Sequence, residues 1–125
     1  MTSCFLLPYP PSANRYLRHT ARGTYRTAEA DRYRDQVRLA AFRCGAQAIS
    51  GPVSLRLVLH AKTTKTGKAS KTVLDLDNCC KVAVDALQGV LYANDKQIAR
   101  IEISRGDPIA GGGLLVAVRA MADEI

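Results

Sequence analysis

Two runs decide the fold between them: Val53-Ser54-Leu55-Arg56-Leu57-Val58-Leu59, and Asp75-Leu76-Asp77-Asn78-Cys79-Cys80-Lys81-Val82-Ala83-Val84-Asp85-Ala86-Leu87. In the first, Val53, Leu55, Leu57 and Leu59 recur every second residue, the pattern of a strand with one buried face. In the second, Val82, Ala83, Ala86 and Leu87 recur at helical spacing, with Val90 on the same apolar side and Gly89 placed to help end the helix. Residues 62–72 (KTTKTGKASKT) lie between them, polar, basic and aperiodic, and read as a flexible loop. A strand and a helix that are each apolar on one side find cover in one another.

Working outward, residues 3–7 read as a first strand, stopped by Pro8-Tyr9-Pro10-Pro11. The stretch from there to Arg26 reads as an ordered loop. Thr27 is placed as an N-cap, with Glu29 and Asp31 well positioned against the helix dipole. Ala30, Tyr33, Val37, Ala40, Ala41, Cys44 and Ala48 then recur at helical spacing and predict one long amphipathic helix, ended before Gly51-Pro52. Residues 98–104 and 114–120 read as closing strands, separated by Asp107-Pro108 and Gly111-Gly112-Gly113. The expected fold is α+β, one small domain over residues 1–125 in the order β-α-β-α-β-β, with a mixed or antiparallel sheet packed with helices. At 47% hydrophobic residues the chain has enough apolar surface for a core without staples.

A net charge of +7 points to a polyanionic partner. The distribution says more than the total. Eight arginines between Arg15 and Arg43 crowd the N-terminal part, and Lys62, Lys65, Lys68 and Lys71 form a second group. No apolar run approaches the length of a bilayer span, and residues 1–8 lack the pattern of a signal peptide, so a cytoplasmic protein without membrane contact is expected. Cys4, Cys44, Cys79 and Cys80 show no CxxC spacing, and adjacent helical residues point about 100° apart, so reduced thiols are expected rather than a zinc site.

The chemistry concentrates at Asp75-Leu76-Asp77-Asn78. In extended backbone, residues two apart project to the same side and bring two carboxylates together. Such anions repel unless a cation lies between them or one is protonated. The ordinary alternative is that Asp77 or Asn78 caps the helix while Asp75 is solvated. Lys81, four residues after Asp77, shares its helical face. It is either half of a surface ion pair or a cation beside a reacting phosphate. Asp85 lies on the same face and reads as a structural partner of Lys81 or of a backbone group. Asp95, in the loop after the helix, is compatible with a shared site. Carboxylates alone suit Mg²⁺, which can activate water and stabilise a leaving oxygen in phosphodiester hydrolysis. His19 and His60 are far apart and are not expected to bind metal. No Walker-type loop is present and no organic cofactor is expected.

Three blocks resemble one family. Leu7-Pro8-Tyr9-Pro10-Pro11-Ser12-Ala13-Asn14-Arg15-Tyr16 is similar to a "PPSxNRY" signature, Asp75-Leu76-Asp77-Asn78 with Lys81 and Asp85-Ala86-Leu87 to "DLDNxxKxxxDAL", and Asn94-Asp95-Lys96-Gln97-Ile98 to "DDxQI". Each alone is modest; in this order and spacing they resemble the RusA-type Holliday-junction resolvases. The resemblance implies a homodimeric, Mg²⁺-dependent enzyme that nicks four-way DNA junctions symmetrically. It implies Asp75, Asp77 and Asp95 as metal-binding catalytic carboxylates and Lys81 as the catalytic-site cation. It also implies Ser12, Asn14, Arg15, Lys71 and Asn78 as DNA contacts, to which the lysine loop adds Lys65 and Lys68. The chain departs from the pattern at Val73-Leu74, where members can carry a basic residue, and at Asn94, where an acid is common.

Two other classes compete. A non-catalytic basic module could hold nucleic acid with the same charge, but gains nothing from three aspartates on a cationic surface. A sugar-nucleotide transferase using DxD would need a nucleotide-binding half that 125 residues do not provide.

Overall fold

The alternation in β4 (Val53–His60) sets the architecture. Val53, Leu55, Leu57 and Leu59 are buried, while Arg56 on the opposite face is exposed. The computed structural model describes residues 2–68, 70 and 73–121. In it, β4 sits inside a four-stranded sheet ordered β1-β6-β4-β5, with β1 Thr2–Leu7, β5 Ile98–Arg105 and β6 Gly113–Ala120. β6 runs antiparallel to both β1 and β4, and β5 runs parallel to β4, so the sheet is mixed. A parallel pair needs a long crossover. The chain between His60 and Ile98 supplies it and includes α3 (Leu76–Leu87). β5 and β6 are not neighbours, because β4 lies between them.

One face of this sheet is covered by α2 (Ala28–Arg43) and α3, and the core lies between the layers. Tyr33 and Val37 of α2, Val82 and Leu87 of α3, Leu57 of β4 and Val116 of β6 are among its buried side chains. Among the described residues no polar or charged side chain is buried. The chain is therefore a small α+β domain with helices packed on a sheet. The apolar side of α3 and the inner face of β6 are consumed by this core, so neither is free as surface for a second copy.

The segment after β1 departs from the expected loop. Ser12 caps a short helix, α1 (Ala13–Tyr16), and a hairpin of β2 (Leu17–Thr20) and β3 (Gly23–Arg26) follows. The order is thus β-α-β-β-α-β-α-β-β. The hairpin escaped the periodicity test because almost all of it is exposed, which leaves no apolar alternation to read. Thr27 caps α2 as expected, its side chain accepting from the Ala30 N–H. That helix ends at Arg43, short of Ala48. Gly45 turns the chain at φ 74°, and the Ala46 N–H closes on the Ala41 carbonyl at 2.9 Å. Of the expected flexible loop over residues 62–72, residues 69, 71 and 72 lie outside the described residues, and several of the others make backbone bonds. Thr64 N–H bonds to the Lys68 carbonyl, and Ser70 N–H to the Lys62 carbonyl at 2.8 Å.

Candidate active site

α3 begins at Leu76, which corrects both sequence readings of the motif. Asp75 is the last extended residue, at the N-cap position, and Asp77 already lies in the first helical turn. Strand alternation therefore does not align the two carboxylates. Nor does Asp77 or Asn78 occupy the cap, and the Asp75 side chain makes no capping bond. Neither aspartate is committed to holding the helix start.

Asn78 is committed. Its Oδ1 accepts from the Ala13 N–H at 2.6 Å, tying α3 to the start of α1. Tyr9 makes a second tie: its hydroxyl accepts from the Leu74 N–H at 3.0 Å, while Arg105 donates to the Leu74 carbonyl at 2.8 Å. The backbone that delivers Asp75 and Asp77 is thus fixed from both sides. Asn78 Oδ1 is engaged in this tie.

Asp95 arrives from the other end of α3. It opens a short 3-10 turn, Asp95–Gln97, closed by a reciprocal capping box between Asn94 and Gln97. Gln97 Oε1 accepts from the backbone N–H groups of Ala93 and Asn94, and its Nε2 donates to the carbonyls of Ile49 and Gly51. Gln88 accepts from the Asp95 N–H at 2.9 Å. Sequence reading missed Gln88 and Gln97 as positioning groups. Gln97 was visible inside the third block, but its partners near residue 50 are joined to it only by folding.

Asp77, Lys81, Asp85 and Asp95 line one cleft of about 570 Å³, with Cys80, Val84 and Ile103 as its other walls. Asp75 is not among the lining residues. Among the described residues no side-chain hydrogen bond or ion pair engages Asp77, Lys81 or Asp95, so Lys81 is not half of a surface ion pair with Asp77. Asp85 differs. It accepts two bonds from Arg26, at 2.7 and 2.8 Å, and one from the Tyr16 hydroxyl at 2.5 Å. Its partners are these two, not Lys81. Burial alone would raise the Asp85 carboxyl, but the bonds from Arg26 and Tyr16 outweigh it and hold the group below its ordinary value. Burial, and then the bond to Asp85, pushes the Tyr16 phenol well above its usual range. Burial pushes the Cys79 thiol up to about 12, and burial followed by the Asp77 charge raises Cys80. Both thiols stay protonated near neutrality, which leaves carboxylates as the charged oxygen donors of the cleft.

These donors suit a hard divalent cation, which takes oxygen ligands. The fit is partial. Asp77 and Asp95 share the cleft, yet among the described residues no three metal-donor side chains come together as a ready-made site.

A second cleft, of about 600 Å³, is lined by Tyr9, Ser12, Arg15, Arg32, Lys62 and Leu74 among others. Ser12 caps α1, Asn14 is exposed, and Arg15 pairs with Glu29 at 2.7 Å while staying 73% exposed. Lys65 and Lys68 are exposed in the turn after β4, and Lys71 lies outside the described residues. Among the described residues His19 bonds to Thr24 and His60 to the Asp107 carbonyl, 47 residues away. Leu74 of this cleft and Asp77 of the acidic one are three residues apart in sequence. Among the described residues no helix is long and apolar enough to cross a membrane.

Comparison with known proteins identifies relatives over nearly the whole chain. The family model described as endodeoxyribonuclease RusA matches residues 8–119. The chain is 31% identical over 125 residues to a crossover junction endodeoxyribonuclease RusA of Escherichia coli strain K12, covering 98% of each chain. It has the same identity and coverage to the protein of that name from Shigella sonnei. A relative of that name from Enterobacteria phage 82 is 31% identical over 120 residues, 94% of each chain.

Proposed function

The chain belongs to the RusA endodeoxyribonuclease family, and from that premise we propose that it resolves four-way DNA junctions by Mg²⁺-dependent hydrolysis, as a homodimer making paired symmetric nicks. One observation carries the assignment of the chemistry to residues: Asp77, Lys81 and Asp95 share a cleft, and no other described group engages their side chains. A structural ion pair would have consumed them.

Asp77 and Asp95 would hold the metal, with Asp75 joining from the N-cap position of α3. The bound ion supplies activation of a water and charge stabilisation at the phosphate. Water attacks phosphorus, the bond to the leaving oxygen breaks, and that oxygen takes up a proton as it departs. Lys81, one helical turn after Asp77, neutralises charge that develops on the phosphate in the transition state. The Tyr9 and Asn78 ties hold residues 74–78 still, and Gln88 and Gln97 hold the Asp95 turn. Ser12, Asn14, Arg15, Lys65, Lys68 and Lys71 belong to the surface that holds the DNA backbone, by charge or by hydrogen bonds to phosphate. A junction has approximate two-fold symmetry, and one cleft per chain cuts one strand, so two copies match the substrate.

Asp77→Asn and Asp95→Asn keep size and hydrogen bonding but remove a charge. Both should abolish cleavage while junction binding survives or tightens, since less negative charge faces the phosphates. Gel-shift and cleavage assays side by side decide the point. Cleavage near the wild-type rate in either variant removes that residue from the site.

A further inference from the structure

Apart from Arg26, which bonds Asp85, the hairpin β2–β3 has no part in the site described so far. It forms a two-stranded sheet of its own, and every residue from Arg18 to Arg26 is exposed. Residues 17–26 (LRHTARGTYR) contain Arg18, Arg22 and Arg26 and no carboxylate. In its register Leu17 faces Arg26, Arg18 faces Tyr25, and His19 faces Thr24. Side chains alternate along a strand, so these pairs divide between two faces. Leu17, packed against the core, and Arg26, held by Asp85, mark the inward face. Arg18 and Tyr25 therefore share the outward face, where Tyr25 is 53% exposed. Arg22 sits in the connecting turn. Among the described residues neither Arg18 nor Arg22 has an ion-pair partner.

The base of the ribbon is fixed. The Thr27 N–H bonds to the Tyr16 carbonyl at 3.0 Å, and Arg26 grips Asp85 with two bonds. Asp85 lies on α3, two turns beyond Asp77, and lines the same cleft. Whatever the ribbon binds is therefore held in a set relation to the cutting residues. An exposed tyrosine and two unpaired arginines contribute little to folding, but they match a polyanion.

We propose that the β2–β3 hairpin is a duplex-binding arm that enters the groove of a DNA arm beside the cut, with Arg18 and Arg22 on phosphates. A two-stranded ribbon fits the major groove, about 12 Å wide. Contacts to phosphate position the protein without reading sequence. The inference rests on the DNA-cutting function proposed above.

The chain has no tryptophan, so Tyr25→Trp places a single indole on the hairpin. Its emission is followed as a synthetic four-way junction is added without divalent cation, which keeps the substrate intact. In parallel, junction affinity is measured against salt for the wild type, for Arg18→Gln/Arg22→Gln, and for Arg56→Gln/Arg100→Gln, a control that removes the same charge from exposed positions on β4 and β5. The expected result is a changed indole emission at saturation. The log–log salt slope should flatten by about 1.8 in the hairpin variant, at about 0.9 per phosphate contact, and hold in the control. A silent indole, an unchanged slope in the hairpin variant, or equal flattening in both variants overturns the arm while leaving the nuclease reading intact. A wild-type chain that binds no junction overturns both.

Discussion

Lys81 and Asp85 are one helical turn apart on α3, yet the fold gives them opposite work. Asp85 joins Tyr16 and Arg26 across the base of the hairpin, whereas Lys81 stays unpaired in the cleft. Spacing alone suggested that they pair with each other. It failed because the true partners lie 59 and 69 residues away in sequence and meet Asp85 only on folding. The two roles separate experimentally. Lys81→Ala should lower turnover by about 10²-fold and leave the melting temperature in place. Asp85→Ala should lower stability by about 1–3 kcal/mol, because the Tyr16 hydroxyl loses its acceptor. The acid limb fixes the sign. Asp85 is held below its ordinary value of 3.8, so its contribution is complete above that pH and is lost as pH falls through the lower folded value. Acid titration of unfolding should therefore show a steeper loss below pH 3.8 in the wild type than in the variant. A Lys81→Ala chain that melts far earlier would assign Lys81 to the fold instead.

Elements with a buried face were legible, and so was β5, none of whose residues is fully buried, but the hairpin was not. β4 and α3 declared themselves by alternation and by helical spacing, and Thr27 marked the start of α2 by its capping chemistry. The end of α2 was misplaced because Ala48 continues the period after Gly45 has already turned the chain. The hairpin carries no apolar face, so its residues read as loop. Asp75, Asp77 and Asp95 were legible as candidates, but the 3-10 turn that carries Asp95 was not. That turn is open to test. Gln97→Ala removes the acceptor for two backbone N–H groups and the donor to two carbonyls. Loss of such support commonly weakens a metal site by about 10- to 100-fold. The Mg²⁺ concentration for half-maximal cleavage should rise within that range. An unchanged Mg²⁺ dependence would show that Asp95 needs no such support.

At the scale of the whole molecule, the apolar side of α3 and the inner face of β6 belong to the monomer core, whereas β5 has no fully buried residue. Leu6, Leu39 and Phe42 are exposed instead, at 50%, 48% and 79%. Leu6 and Leu39 line a common groove with Pro8 and Ala40. Sedimentation at micromolar concentration should show a dimer; a monomer at every concentration, on junction DNA as well as free, rules that architecture out. The central claim is selective, metal-dependent cutting of branched DNA. It is tested most directly by incubating the wild-type chain with a four-way junction and with a linear duplex of the same sequence, each with Mg²⁺ and with EDTA. The account predicts paired nicks in the junction with Mg²⁺, little cutting of the duplex, and none of either in EDTA. Equal cutting of junction and duplex, or cutting that persists in EDTA, would contradict it.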